Sequence, residues 1–178
     1  MKKVAMVIAL NGFRDEEYLV PKQIFEQHNI NVVTVSTDYG TARGKLGHMC
    51  GVDVSIDDLK ESEFDAIVFV GGPGTPEVRS HKRTEELVLA FHNNGKTIGA
   101  ICWAVTILAK AGILKGRKAT LWVGHDPEFK MTTTQYLLLN GGTHVQQGVV
   151  QDGRIITADG PGSAREFGLT VAKEILKK

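Results

Sequence analysis

Cys102 follows the string Thr97-Ile98-Gly99-Ala100-Ile101 and precedes Trp103-Ala104-Val105-Thr106. A short run of strand type ends at the cysteine and a helical pattern begins after it. The spacing therefore predicts a strand–turn–helix corner that lifts the thiol toward solvent. Such corners need small neighbours at −2 and +2, as in the nucleophile elbow of hydrolases, and Ala100 and Ala104 fill those places. The first free N–H groups of the next helix would point at the sulfur, favour the thiolate and lower its pKa. The chemistry implied is that of a reactive thiol, set against the plain alternative of an inert buried cysteine.

Three kinds of group could work with this thiol. Asp15-Glu16-Glu17-Tyr18 lies just past the first apolar run, at the start of a helical pattern. A carboxyl group beside a thiolate would have its pKa raised, stay protonated and donate a hydrogen bond to sulfur. Position selects neither Glu16 nor Glu17, and Asp15 reads as an ordinary acid at a helix N-terminus. Gly71-Gly72-Pro73-Gly74 ends another apolar run and lacks both the GxxxxGK[ST] and GxGxxG patterns. It suits a backbone that approaches the cysteine and offers N–H donors to an oxyanion. Among the histidines, His125 in Trp122-Val123-Gly124-His125-Asp126-Pro127 follows a strand end and is the candidate base. His28, His81 and His92 read as solvated surface, and His48 and His144 lie in extended, glycine-rich segments. No His, Cys, Asp or Glu cluster has metal-ligand spacing, so no metal or cofactor is expected.

The elements that must position these groups follow from periodicity. Residues 4–10, 31–35, 65–70, 97–101 and 119–123 read as strands, several as the continuous apolar runs of a parallel sheet buried on both faces. Residues 16–27, 77–93, 103–111 and 162–176 read as helices, the first with Leu19, Ile24 and Phe25 on its apolar face. Residues 39–56 alternate as a hairpin or two short extended pieces would. Gln151-Asp152-Gly153 marks a hairpin between 145–150 and 154–158. The pattern predicts an α/β fold, a flavodoxin-like doubly wound sandwich whose mostly parallel sheet carries an added antiparallel hairpin. In such sheets ligands meet the carboxyl ends of the strands, where Leu10-Asn11-Gly12, Gly71-Gly72 and Cys102 all fall.

The chain has 178 residues, enough for one domain, residues 1–178, with a real core. Its 42% hydrophobic content and net charge of +1 argue against nucleic acid or an anionic membrane as partner. Cys50 and Cys102 form no disulfide framework, and the N-terminus has no signal-peptide architecture, so a reducing cytoplasm is the expected compartment.

Taken jointly, Asp65-Ala66-Ile67-Val68 through Gly71-Gly72, Gly99-Ala100-Ile101-Cys102, the run from Ala111 to Lys118 and the spacing of Glu17 to Pro21 resemble the ThiJ/PfpI family. That family is a branch of the class I glutamine-amidotransferase-like fold and includes archaeal intracellular proteases and the Parkinson-linked protein deglycase. The resemblance makes Cys102 the nucleophile, selects Glu17 as its carboxyl partner and gives the backbone N–H groups of Gly72 and Trp103 to the oxyanion hole. It also implies a homo-oligomer, a dimer or higher. Asp159-Gly160-Pro161-Gly162 resembles a loop bordering the pocket of the deglycase branch. The chain departs from the family at both histidine positions. Trp103 stands where the protease branch has histidine, and Trp122 stands where the deglycase branch has one, with His125 three residues on. Two tryptophans imply a pocket of different shape. Glu77 matches a glutamate that reaches in from a neighbouring subunit in the protease branch. The absence of a His-x-Glu pair near the C-terminus argues against glutaminase activity.

The expected function is a cysteine enzyme of glyoxalase or deglycase type, acting on small reactive carbonyls or their protein adducts. Two alternatives stand beside it: an intracellular cysteine peptidase, and a redox-sensing or chaperone-like protein that uses oxidation of Cys102.

Overall fold

In the computed structural model, which describes residues 1–177, the apolar runs become the strands of one sheet. These are β1 (Lys3–Val7), β2 (Asn31–Ser36), β3 (Val54–Ser55), β4 (Ala66–Phe69), β5 (Thr97–Ile101), β6 (Val149–Asp152) and β7 (Ile155–Ala158). Their order is β6-β7-β5-β4-β1-β2-β3. Every neighbouring pair is parallel except β6 and β7, the added antiparallel hairpin. One rank across the centre runs Met6, Val68, Gly99, Ile156.

Helices cover both faces: α1 (Asp15–Gln27), α2 (Thr75–Ser80), α3 (Lys82–Asn93), α4 (Val105–Lys110), α5 (Thr133–Leu139) and α6 (Ala164–Leu176). Ala5, Val7, Ile67, Phe69 and Ile98 pack against Leu87, Phe91 and Leu108 on one side. Val4, Met6, Val68 and Ile156 pack against Phe25, Phe167 and Val171 on the other. Burial of successive residues on opposite faces is why these strands are apolar throughout. Helices α1 and α6 approach closely because Gly168 has no side chain: a Cβ there would stand 3.0 Å from Pro21 Cα.

Four expectations change. The helix expected over 77–93 is two helices, α2 and α3, separated at His81, whose backbone is extended. On α1 the inward residues are Tyr18, Pro21, Ile24 and Phe25, while Leu19 lies 38% exposed. The strand expected over 119–123 shrinks to Lys118–Ala119, paired with Thr143–His144. It stops there because the Thr120 N–H turns to the Thr157 hydroxyl at 3.0 Å. The strand expected from 145 begins only at Val149. The alternating stretch 39–56 is a hairpin, Thr41–Gly44 against Met49–Gly51, followed by β3. Among the described residues no helix is long and apolar enough to cross a membrane.

Candidate active site

Strand β5 ends at Ile101, and Cys102 begins a single 3-10 turn that leads into α4. The backbone of Cys102 has φ 62°, a left-handed conformation that a residue with a Cβ adopts only at some cost. Ala100 and Ala104, both fully buried, leave room for this corner. The strained elbow read from the small neighbours is present.

Glu17, on the first turn of α1, is fully buried. Its Oε2 accepts a hydrogen bond from the Gly71 N–H at 3.0 Å. Its carboxyl group lies beside Cys102 and interacts with the thiol, while Oε1 has no hydrogen-bond partner in the protein among the described residues. Glu16 is half-buried and paired with Arg14 at 2.8 Å, so the structure separates the two glutamates that position could not. Gly71 permits the contact, because a Cβ there would lie 2.8 Å from both the Cys102 Cβ and Glu17 Oε2. Gly72, at φ 115°, passes so near the preceding loop that a Cβ would meet Gly12 O at 2.4 Å. The backbone N–H groups of Gly72 and Trp103 lie near enough to the Cys102 sulfur to favour its thiolate.

Burial raises the Glu17 carboxyl pKa from 4.5 to about 7, against the lowering effects of Cys102, Gly71 and Arg14. The expectation of a depressed thiol pKa is corrected. Burial first, then the charge of Glu17, push the Cys102 thiol above its ordinary range, and the two N–H donors offset this only in part. The donors are there as the corner implied. The enclosing walls and the adjacent carboxylate outweigh them. The two acids form a coupled pair that holds one proton once Glu17 has ionised.

A cavity of about 410 Å³ opens over the sulfur. Cys102, Glu17 and Gly72 form its floor, Trp103, Trp122, Pro73 and Pro161 its apolar walls, and Arg14 and Lys45 also line it. The indoles of Trp103 and Trp122 lie 5.4 Å apart. Trp122 takes its position over Gly124, where a Cβ would collide with the ring at 2.0 Å. Trp103 is fixed from behind, its Nε1–H donating to Asp126 Oδ2 at 2.7 Å. Asp126 is in turn bound by the buried Arg79 at 2.6 and 3.2 Å. Burial works to raise the Asp126 pKa, but Arg79 and Trp103 outweigh it and hold the carboxyl below the usual carboxylate range.

His125 does not reach this cavity. It is exposed, in a short antiparallel pair of His125–Asp126 with Met131–Thr132. Alternation along an extended segment sends Asp126 inward and His125 outward. Among the described residues no histidine lines the cavity. Glu77 turns instead to the Leu10 N–H at 3.2 Å and to the Thr37 hydroxyl. Asp15 is more than a helix-start acid: it accepts from the N–H groups of Leu46 at 2.7 Å and His48 at 2.8 Å, tying down the turn that carries Lys45. Arg79, Asp126 and Lys45 carried no sequence signal of their own. Among the described residues no group of His, Cys, Asp and Glu could hold a metal ion.

The sequence profile of the DJ-1/PfpI family matches residues 2–174. The chain belongs to the DJ-1/PfpI family. It is 43% identical to an uncharacterised protein of Methanocaldococcus jannaschii, over 98% of this chain and 83% of that protein. It is 30% identical to the deglycase PfpI of Pyrococcus furiosus, over 91% of this chain and 95% of that one. Among solved structures, a ThiJ/PfpI domain protein from Brachyspira murdochii superposes with a TM-score of 0.89 at 32% identity, covering 97% and 95% of the two chains. Membership of the DJ-1/PfpI family agrees with the mostly parallel sheet and its added hairpin. Family members named as deglycases support enzymatic activity in broad terms.

Proposed function

We propose that this protein is a cysteine enzyme that rearranges small 2-oxoaldehydes such as methylglyoxal to 2-hydroxy acids, or removes the same carbonyls from their protein adducts. The observation that carries the reading is the buried Glu17 carboxyl, with a pKa near 7, in contact with a thiol that faces a small cavity. The Cys102 sulfur adds to the aldehyde carbon and gives a hemithioacetal. Its alkoxide is received by the N–H groups of Gly72 and Trp103. Glu17 then takes the proton from the former aldehyde carbon and returns one to the neighbouring carbon, which converts the hemithioacetal into a thioester of a 2-hydroxy acid. Water cleaves the thioester, releasing lactate from methylglyoxal and restoring the thiol. The aldehyde carbon is oxidised and its neighbour reduced, so no external electron carrier is needed. An acid that titrates near neutrality is matched to such proton transfer.

This sequence uses no imidazole, which agrees with a cavity lined by Trp103 and Trp122 rather than histidine. Peptide hydrolysis would require a proton donor for the leaving amine, for which imidazole is the usual group. The test is lactate release from methylglyoxal before and after alkylation of Cys102. Blocking the thiol is expected to stop release, and equal release by blocked and unblocked protein would overturn the reading.

A pH dependence follows with a fixed sign. Below about pH 7 both Glu17 and Cys102 are protonated and no base remains in the pair. Above it the pair has lost one proton and becomes competent. The kcat/KM for methylglyoxal is thus expected to fall about tenfold per unit as the pH drops below about 7. Rate measurements from pH 5 to 9 check this, and a flat profile would remove Glu17 from the proton transfer.

A further inference from the structure

The mouth of the cavity carries two cations that the rearrangement of methylglyoxal does not use, Arg14 and Lys45. Arg14 is held by Glu16, to which its Nε and Nη2 donate at 2.8 and 3.2 Å. Among the described residues Nη1 has no partner in the protein, and neither does the Lys45 ammonium group. Both groups stand on anchored backbone. The Arg14 N–H donates to Gly71 O at 2.8 Å, the Lys45 N–H to Phe13 O at 2.8 Å, and Asp15 secures the residues that follow Lys45. The Arg14 side chain lines the same cavity as Glu17 and Cys102.

We infer that the substrate carries a carboxylate near its reactive carbonyl, received by Arg14 and Lys45 while Cys102 adds to the aldehyde carbon. Glu16 pairs with Arg14 and leaves the Lys45 ammonium as the one uncompensated charge at the mouth, while the Glu17 carboxyl is held against Gly71 on the floor below. A carboxylate matches that charge, a neutral oxoaldehyde leaves it unused, and a phosphate dianion exceeds it. The guanidinium edge left open beside Glu16 offers N–H donors at the spacing that a carboxylate accepts. The apolar walls of Trp103, Trp122 and Pro161 suit the short carbon chain joining the two ends of such a molecule.

The inference rests on the oxoaldehyde reading, and its test separates the two. Methylglyoxal and 4,5-dioxopentanoate share the same oxoaldehyde, and only the second bears a carboxylate. Each takes up one water, giving lactate or 2-hydroxyglutarate. At low ionic strength the kcat/KM for 4,5-dioxopentanoate is expected to exceed that for methylglyoxal by roughly tenfold or more. Lys45→Gln and Arg14→Gln are each expected to shrink that preference. A second measurement needs no turnover: alkylation of Cys102 by iodoacetate relative to iodoacetamide, which have similar size and differ in charge. The iodoacetate-to-iodoacetamide rate ratio should fall several-fold in Lys45→Gln relative to the unsubstituted protein. If neither aldehyde is consumed but that ratio still falls, carboxylate recognition stands and the rearrangement does not. If the ratio is unchanged in both variants, carboxylate recognition is overturned whatever the aldehydes do.

Discussion

Lactate release from methylglyoxal is expected to vanish in Cys102→Ser and to fall roughly a thousandfold in Glu17→Gln, the range that a positioned acid–base group supplies. The two losses have different causes. A serine hydroxyl at this corner is far less acidic than a thiol and does not form the covalent adduct. The glutamine amide keeps the shape of Glu17, and its oxygen can still accept from the Gly71 N–H, but it cannot move a proton between carbons. Glu17→Gln should also lose the acid limb of the pH profile and speed alkylation of Cys102 above pH 7, where the glutamate charge otherwise pushes the thiol up. The same variant should be more stable than the unsubstituted chain. Glu17 has a pKa of about 7 when folded, against an ordinary 4.5. Its contribution to stability is therefore complete below 4.5, lost progressively as the pH rises to about 7, and gone above that. The loss amounts to about 3 kcal/mol at neutral pH. Urea denaturation at pH 5 and pH 8 checks this. The gain in Glu17→Gln should be much larger at pH 8, and an equal gain at both would mean that ionisation is not its cause.

Arg79→Ala is expected to be the most damaging change away from the cavity, at about 3–5 kcal/mol. The guanidinium is fully buried, grips Asp126 with two hydrogen bonds, reaches the Thr106 hydroxyl at 2.8 Å and lies 4.1 Å from the Phe129 ring centre. Without it the Asp126 carboxylate keeps only the Trp103 indole N–H and weak backbone donors in a site closed to water. Asp126→Asn in the Arg79→Ala background should recover part of the loss, because it removes the orphaned charge. Asp126 has a depressed pKa in the folded chain, so its share of stability is present above the ordinary carboxylate range and lost as the pH falls through its folded pKa. Equilibrium denaturation of the two single variants and the double variant measures the coupling. Simple additivity would mean that Arg79 and Asp126 do not act as a pair.

The sheet and the thiol corner were legible in the sequence because both rest on local pattern. Continuous apolar runs mark strands buried on two faces, and Ala100 and Ala104 mark the sharp turn at Cys102. Glu17 was narrowed to one of two neighbours by pattern, and only packing against Gly71 decides between them. His125 failed as a candidate because one residue of strand alternation turns it outward and sends Asp126 inward. Position along a chain fixes which strand end a residue follows, not which face it takes. Arg79 pairs with a carboxylate far along the chain and looks like any surface arginine on a short helix. The thiol pKa went the wrong way for a related reason. The helix-start donors are local, whereas the burial that outweighs them is assembled from distant segments.

The left-handed backbone at Cys102 sets the accident of copying against the demands of chemistry. Glycine is the residue that occupies this conformation without steric penalty, and replacing cysteine by glycine here would relieve about 1–2 kcal/mol of backbone strain. One base change separates the codons of the two amino acids. A lineage that ceased to need the reaction would therefore drift downhill toward a sturdier and chemically silent protein, and that corner is where the drift would first be written.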